Sequence, residues 1–160
     1  ENVFVLVLFA IFAMTIVAVL ALGANQYKSL VERDNNAYNK RIITSYVSAQ
    51  IRGYDRADAV KVGGFASPDV DDEVNTLHLL ETIDGIRYDL KIYYYQGKVY
   101  ELFAAEESEM KPEDGVAIMD AKDLHFEKKG SLIRITSKDS EGRENETTVS
   151  LRSEESGVAL

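Results

Sequence analysis

The run VFVLVLFAIFAMTIVAVLALG, residues 3–23, constrains this chain more than anything that follows it. Thr15 is its only polar side chain. At about 1.5 Å per residue the run spans roughly 31 Å, the thickness of a bilayer's hydrocarbon core. A secretory signal would start with basic residues and carry a shorter apolar stretch. Here a carboxylate, Glu1, stands in front, and no other charge precedes Lys28. The segment is expected to be a membrane-embedded helix. The first residue is not Met, so a processed start is expected. Thr15 can satisfy its hydroxyl on the Ile11 carbonyl four residues back. Gly23 ends the apolar run without ending the helical pattern, and marks a point of helix flexibility.

The helix is expected to continue, because residues 26–52 contain neither Pro nor Gly. Tyr27, Leu30, Val31, Tyr38, Ile42, Tyr46 and Ala49 recur at spacings of three and four and form one apolar stripe. Gly53 is the expected stop, with Arg52 favouring the negative end of the helix dipole.

After Gly53 the period changes from 3.6 to 2. A short strand is expected at Ala59–Val62, and GFASPDVDDEVN (64–75) reads as a loop. In TLHLLETI-DG-IRYDLKIYYY-QG-KVYELF, Asp84-Gly85 and Gln96-Gly97 read as two-residue hairpin turns. The first pairs Ile83 with Ile86, Leu79 with Leu90 and Leu77 with Ile92. The second pairs Leu90 with Phe103 and Tyr94 with Val99. Both turns place Leu77, Leu79, Leu90, Ile92, Tyr94, Val99 and Phe103 on one face. His78, Lys91, Tyr93, Tyr95, Lys98 and Tyr100 fall on the other, outer face. Residues 104–123 read mostly as connection, with a short strand at Val116–Met119. A turn at Lys129-Gly130 would pair Phe126 with Ile133 and Leu124 with Ile135. Residues 138–146 read as a polar loop, and TTVSLRS (147–153) as a last strand with Val149 and Leu151 inward. The expected class is α+β: a long N-terminal helix, apolar in its first half and amphipathic in its second, packed on an antiparallel sheet of about six strands. Two domains follow, 1–53 (with 1–23 as the membrane segment) and 54–160. A one-faced sheet needs a cover, and the helix stripe is the available one.

Charge narrows the partners. The chain carries 18 basic and 27 acidic side chains, a net −9, which repels nucleic-acid phosphates and anionic headgroups alike. Nucleic-acid binding is not expected. With no cysteine, disulfides, thiol catalysis and cysteine metal sites are excluded.

An apolar helix headed by an acid, an amphipathic continuation and an antiparallel sheet resemble a type IV pilin or pseudopilin. The stretches ENVFVLVLFAIFA, IRYDLKIYYYQGKVYELF and SLIRITSKDSEGRE…VSLRSE resemble most closely a group of pilin-like proteins of Gram-positive bacteria. The resemblance implies a subunit held in the membrane, released from a leader by a leader peptidase, and stacked by inner-membrane machinery into a cell-surface filament. It implies a filament core of Val3, Phe4, Leu6, Leu8, Phe9, Phe12, Ile16 and Leu20 packed against copies of themselves. It implies that Glu1 pairs with a neighbouring subunit's α-amino group, a partner that a carboxylate among apolar helices needs. It also implies helix–sheet packing through Tyr27, Leu30, Val31, Tyr38, Ile42 and Tyr46. In that family the glutamate is usually the fifth mature residue, a Pro often stands near position 22, and a cysteine-closed loop is common. This chain has Glu at 1, Gly23 and no cysteine. The rival expectation is a single-pass membrane protein with an extracytoplasmic sensing domain.

The remaining clusters read as structure. The acids of DVDDE (69–73) lack the spacing of a calcium loop and read as solvated. His78 and His125 sit on outer faces beside no catalytic or metal-binding set. Tyr93, Tyr95 and Tyr100 read as cross-strand stacking or an interface. Asn145-Glu-Thr147 matches a glycosylation sequon. No phosphate-binding loop is present, so neither an enzyme, a metal nor a cofactor is expected.

Overall fold

The computed structural model describes the backbone of residues 2–155, and side chains over 3–20, at Leu22 and over 41–153. Helix α1 is Asn2–Gly53 and ends with Arg52 in its last turn. Contacts divide the chain into two units, Glu1–Tyr38 and Asn39–Leu160. The second unit holds the end of α1 and every strand.

Seven strands form one sheet in sequence order: β1 Val60–Gly63, β2 Thr76–Ile83, β3 Ile86–Tyr95, β4 Lys98–Ala105, β5 Val116–Lys129, β6 Leu132–Asp139 and β7 Glu144–Ser150. Every neighbouring pair is antiparallel. The two early hairpins have the expected register: Leu79 opposes Leu90, and Tyr94 opposes Val99. Their turn residues all have positive φ, 51° and 83° at Asp84-Gly85 and 45° and 85° at Gln96-Gly97. Such turns match the twist of the strands they join.

The third hairpin differs from expectation. Lys129 opposes Leu132, so the turn is Gly130-Ser131, with Gly130 at φ 60°. Phe126 therefore opposes Ile135 rather than Ile133, and Leu124 opposes Ser137. A slip of two leaves every side chain on its face, so Phe126, Ile133 and Ile135 are still buried. The segment 116–129, expected as a short strand and a later one, is a single strand. Its first part pairs with β4 and its second with β6. Where β4 no longer runs beside β5, the Asn75 side chain takes over. Its Nδ2 donates to the Phe126 carbonyl at 3.1 Å and its Oδ1 accepts from the Phe126 N–H at 2.7 Å. Lys128 Nζ donates to the Val60 carbonyl at 2.8 Å nearby. Two side chains thus supply the bonds that a neighbouring strand would have made.

One face of the sheet packs on α1. Ile43, Val47 and Ile51, spaced by four, join Leu77, Leu79, Ile92, Phe126, Ile133 and Ile135 in one core. This corrects the expected stripe. Ile42 is 39% exposed, and Ala49 is exposed. Tyr46 does pack against the core from the flank. The stripe lies one residue further round because Thr44 and Ser48 are buried with it. Thr44 donates to the Arg41 carbonyl at 3.3 Å and Ser48 to the Thr44 carbonyl at 2.6 Å. With their hydroxyls satisfied on the helix itself, small polar residues can face the sheet. Tyr27, Leu30, Val31 and Tyr38 have side chains outside the described residues, as does the whole of Glu1.

Candidate functional site

Two places on the chain depart from what a plain soluble domain requires. The first is the start of α1. Val3–Leu20 has a mean hydropathy of 3.1 and none of it is buried. Phe4 and Phe9 are each 73% exposed, Leu8 59% and Leu20 67%, with Val3, Leu6, Phe12 and Ile16 exposed among them. The apolar surface runs round every side of the helix, so no single sheet or helix could cover it. A surface of this kind calls for lipid or for several protein neighbours. Thr15 donates to the Ile11 carbonyl at 2.8 Å, as expected from its position. The helical backbone passes through Gly23. The eight residues expected to form a filament core are thus all presented outward.

The second place is the other face of the sheet, which is not the solvent face expected. His78 and Tyr93 are fully buried, Asp89 is 4% exposed and Lys91 is 7% exposed. The segment 64–75 covers them, and Phe65, Tyr93 and Leu102 form a small second core. His78 Nδ1 lies 2.7 Å from Asp89 Oδ2, and Nε2 lies 2.8 Å from the Gly64 carbonyl. A carbonyl only accepts, so Nε2 carries a proton, and one further proton lies between Nδ1 and Asp89. Lys91 Nζ donates to the Phe65 carbonyl at 2.8 Å, stands 4.7 Å above the Phe65 ring and lies 4.0 Å from Asp89 Oδ2. Asp89 Oδ1 is buried without a hydrogen-bond partner among the described residues.

The covering segment fastens itself as well. Asp72 accepts from the backbone N–H of Phe65 at 2.9 Å, Ala66 at 3.0 Å and Val74 at 3.0 Å. Burial raises the Asp72 pKa, but these three donors outweigh it and hold the carboxyl below its ordinary value. The Gly64 backbone approaches closely: a Cβ there would lie 2.4 Å from the Val70 carbonyl oxygen. Asp72 is thus the one acid of DVDDE that turns inward; Asp69, Asp71 and Glu73 are exposed.

Other singled-out residues serve to fix the domain. Tyr46 donates its hydroxyl to Glu101 and receives a hydrogen bond from Gln50 at 3.1 Å, pinning α1 to β4. Burial and then Glu101 push the Tyr46 phenol up to about 12. Tyr93 reaches about 12 through burial first, then Tyr100 and Asp114, and donates to the Pro112 carbonyl at 2.7 Å. Tyr93 and Tyr100 stack at 5.8 Å, and Tyr95 meets Tyr100 edge-on at 6.0 Å. His125 is half exposed and 4.0 Å from Glu127. Asn145 donates to Thr44 Oγ1 at 2.7 Å, tying β7 to α1. Among the described residues no group of three or more metal-ligating side chains converges.

The profile of a family described as a domain of unknown function, DUF4860, matches residues 38–140. The chain belongs to the DUF4860 family. The match opens within one residue of the second unit and contains the second-face cluster entire. The apolar start of α1 and all of β7 fall outside the DUF4860 match. No curated protein and no solved structure matches this DUF4860 chain.

The sequence reading missed the second-face cluster because His78, Asp89 and Lys91 look like the polar half of an alternating strand. A signal was nonetheless present. Asp89 and Lys91 flank Leu90 on β3 with His78 across from Lys91, an ionic triplet concentrated at one spot beside a Phe-bearing loop.

Proposed function

We propose that the chain is a pilin-like structural subunit, held in the membrane by the start of α1 and polymerised through it into an extracellular filament or short pseudopilus. The supporting observation is the apolar surface on all sides of residues 3–20, on the same helix whose 43–51 stretch is locked into a sheet. A lipid anchor needs only the first property. A polymer that stores helices at its centre and sheets at its coat uses both. On this reading Val3, Phe4, Leu6, Leu8, Phe9, Phe12, Ile16 and Leu20 move from lipid to contact with copies of themselves. Glu1 sets axial register by pairing with a neighbour's α-amino group. The other partners are a leader peptidase, the inner-membrane assembly machinery and the bilayer before assembly. The role is structural rather than enzymatic.

Electron microscopy of material sheared from cells expressing the full chain tests the reading. Filaments that carry the chain are expected, and Leu8→Lys should abolish them, because a charge in the shared core costs several kcal/mol. A chain that stays in the membrane fraction as single copies, with no filament, supports the single-pass sensing alternative and sinks this one.

A further inference from the structure

Between α1 and the edge strand β7 lies a groove of about 380 Å³. Arg41, Ser45, Ser48 and Arg52 line it from one stripe of the helix, and Asn145 and Thr147 from the strand. The two arginines stand about 16 Å apart along the helix. Both are exposed, and neither has an ion-pair partner among the described residues. Glu146, the acid in the lining, is already 3.4 Å from Arg134. Leu151 N–H bonds to the Ser131 carbonyl at 2.8 Å, so odd-numbered residues of β7 bond to β6. The backbone of Glu146 and Thr148 therefore faces the open side. On a chain of net charge −9, this is a locally positive, hydrogen-bonding slot.

Its complement stands elsewhere on the same domain. Asp69, Asp71 and Glu73 are exposed on the segment that covers the second face, and none is in an ion pair among the described residues. Residues 69 and 73 are at most about 13 Å apart, the reach of four extended residues. Two arginines reaching inward can span that. Asp72, His78 and Lys91 fix the segment's backbone, so little ordering is lost when the outer acids are bound. The same anchors keep the segment on its own sheet face, away from its own groove.

We propose that the α1–β7 groove receives the 69–73 segment of a second copy of this chain. Groove and segment are different surfaces, so the contact can run head-to-tail, and with the rise of a filament it adds copies to an open chain. The inference rests on the filament reading and supplies the coat contact between neighbouring sheets. The acidic turn at 106–109 is a poorer occupant, because Glu106 already lies 3.2 Å from Arg87.

The absence of cysteine makes the test clean. Filaments are grown from a mixture of full chains bearing Ser45→Cys and full chains bearing Val70→Cys, sheared and oxidised. Val70 is 46% exposed at the middle of the segment. A disulfide-linked pair with one chain of each kind is expected, and neither variant should crosslink alone. Arg41→Glu with Arg52→Glu in the Ser45→Cys chain should lower the yield about tenfold, since attraction becomes repulsion at several close pairs. Asp69→Lys, Asp71→Lys and Glu73→Lys in the Val70→Cys chain should restore it. Filaments that form without the mixed crosslink reject the contact. So do Ser45→Cys chains crosslinking to each other, or crosslinking better to a Ser108→Cys chain. Failure of the unsubstituted chain to form filaments rejects the filament reading, and this contact with it.

Discussion

Asp72→Ala should loosen the segment 64–75 while leaving the main core in place. The side chain accepts three backbone N–H bonds, two of them partly buried and one exposed. Each such bond contributes about 1–1.5 kcal/mol where partly buried, and about 0.5 where water can replace it. The total is about 3 kcal/mol. That is about a hundredfold in the opening equilibrium of the segment. The reporter is the Gly64 amide, which bonds to the Val70 carbonyl at 2.7 Å, whereas the Asp72 bonds go to Phe65, Ala66 and Val74. Hydrogen exchange on the full chain in detergent micelles should show the Gly64 amide exchanging about a hundredfold faster. Amides of Ile133 and Ile135, in the main core, should not change. The pH dependence has a definite sign. Asp72 has a depressed pKa in the folded state, so its contribution is present above the ordinary carboxylate range and is lost as pH falls through the lower folded value. Wild-type exchange at Gly64 should therefore approach that of the variant in acid. Unchanged Gly64 exchange in Asp72→Ala, or acceleration spread equally to Ile133, would refute the claim that this carboxylate fastens the segment by itself.

His78→Leu should cost about 3–5 kcal/mol in urea unfolding, because it leaves the buried Asp89 carboxylate, whose Oδ1 is already unpartnered, with only Lys91 Nζ at 4.0 Å. The double change His78→Leu with Asp89→Leu should recover much of that, and a simple sum of the two single costs would count against the pair. Tyr46→Phe should cost about 1–2 kcal/mol by loss of the Glu101 bond. In ultraviolet titration two tyrosines, Tyr46 and Tyr93, should ionise only near pH 12 while the chain is folded. Because these pKa values are raised, the stability they contribute is complete below about pH 10 and falls away as pH rises toward 12. Gly64→Ala should displace the Val70 carbonyl or the Asp72 carboxyl, which would lie 2.4 and 2.7 Å from the new Cβ. The measurable result is an Asp72-like exchange phenotype.

Local chemistry made the early hairpins legible. Asp-Gly and Gln-Gly accept positive φ at both turn positions, and the alternation on each side then fixes the register. Lys129-Gly130-Ser131 offers two placements of a two-residue turn on one glycine, and alternation cannot separate registers that differ by two. The helix stripe was misread by one residue because Thr44 and Ser48 count as polar in any pattern, although their hydroxyls are spent on the helix backbone. Burial of the second face was least legible. It depends on Gly64 and Phe65 carbonyls arriving from a loop to meet His78 and Lys91. Nothing in the strand pattern distinguishes a polar face under water from one under a loop. The apolar start of α1 was plain from composition alone, since residues 3–23 carry one polar side chain and so have no polar face to turn toward water.

The seven strands pair only with their neighbours in sequence, and this has a kinetic consequence. Each hairpin can close as soon as its second strand has emerged, with a short loop and little entropy to overcome. The bonds that fasten α1 are of another kind. Tyr46 waits for Glu101, Thr44 for Asn145, and Asp55 for the N–H groups of Arg152 and Ser153. A nascent chain would therefore hold a nearly finished sheet while its helix was still unsealed, and the stretch 145–153 would close the domain. Until then the Ile43, Val47 and Ile51 stripe of α1 would be loosely covered while the β6 edge stood open, which makes the interval before β7 pairs the one in which copies of this chain are most prone to join wrongly.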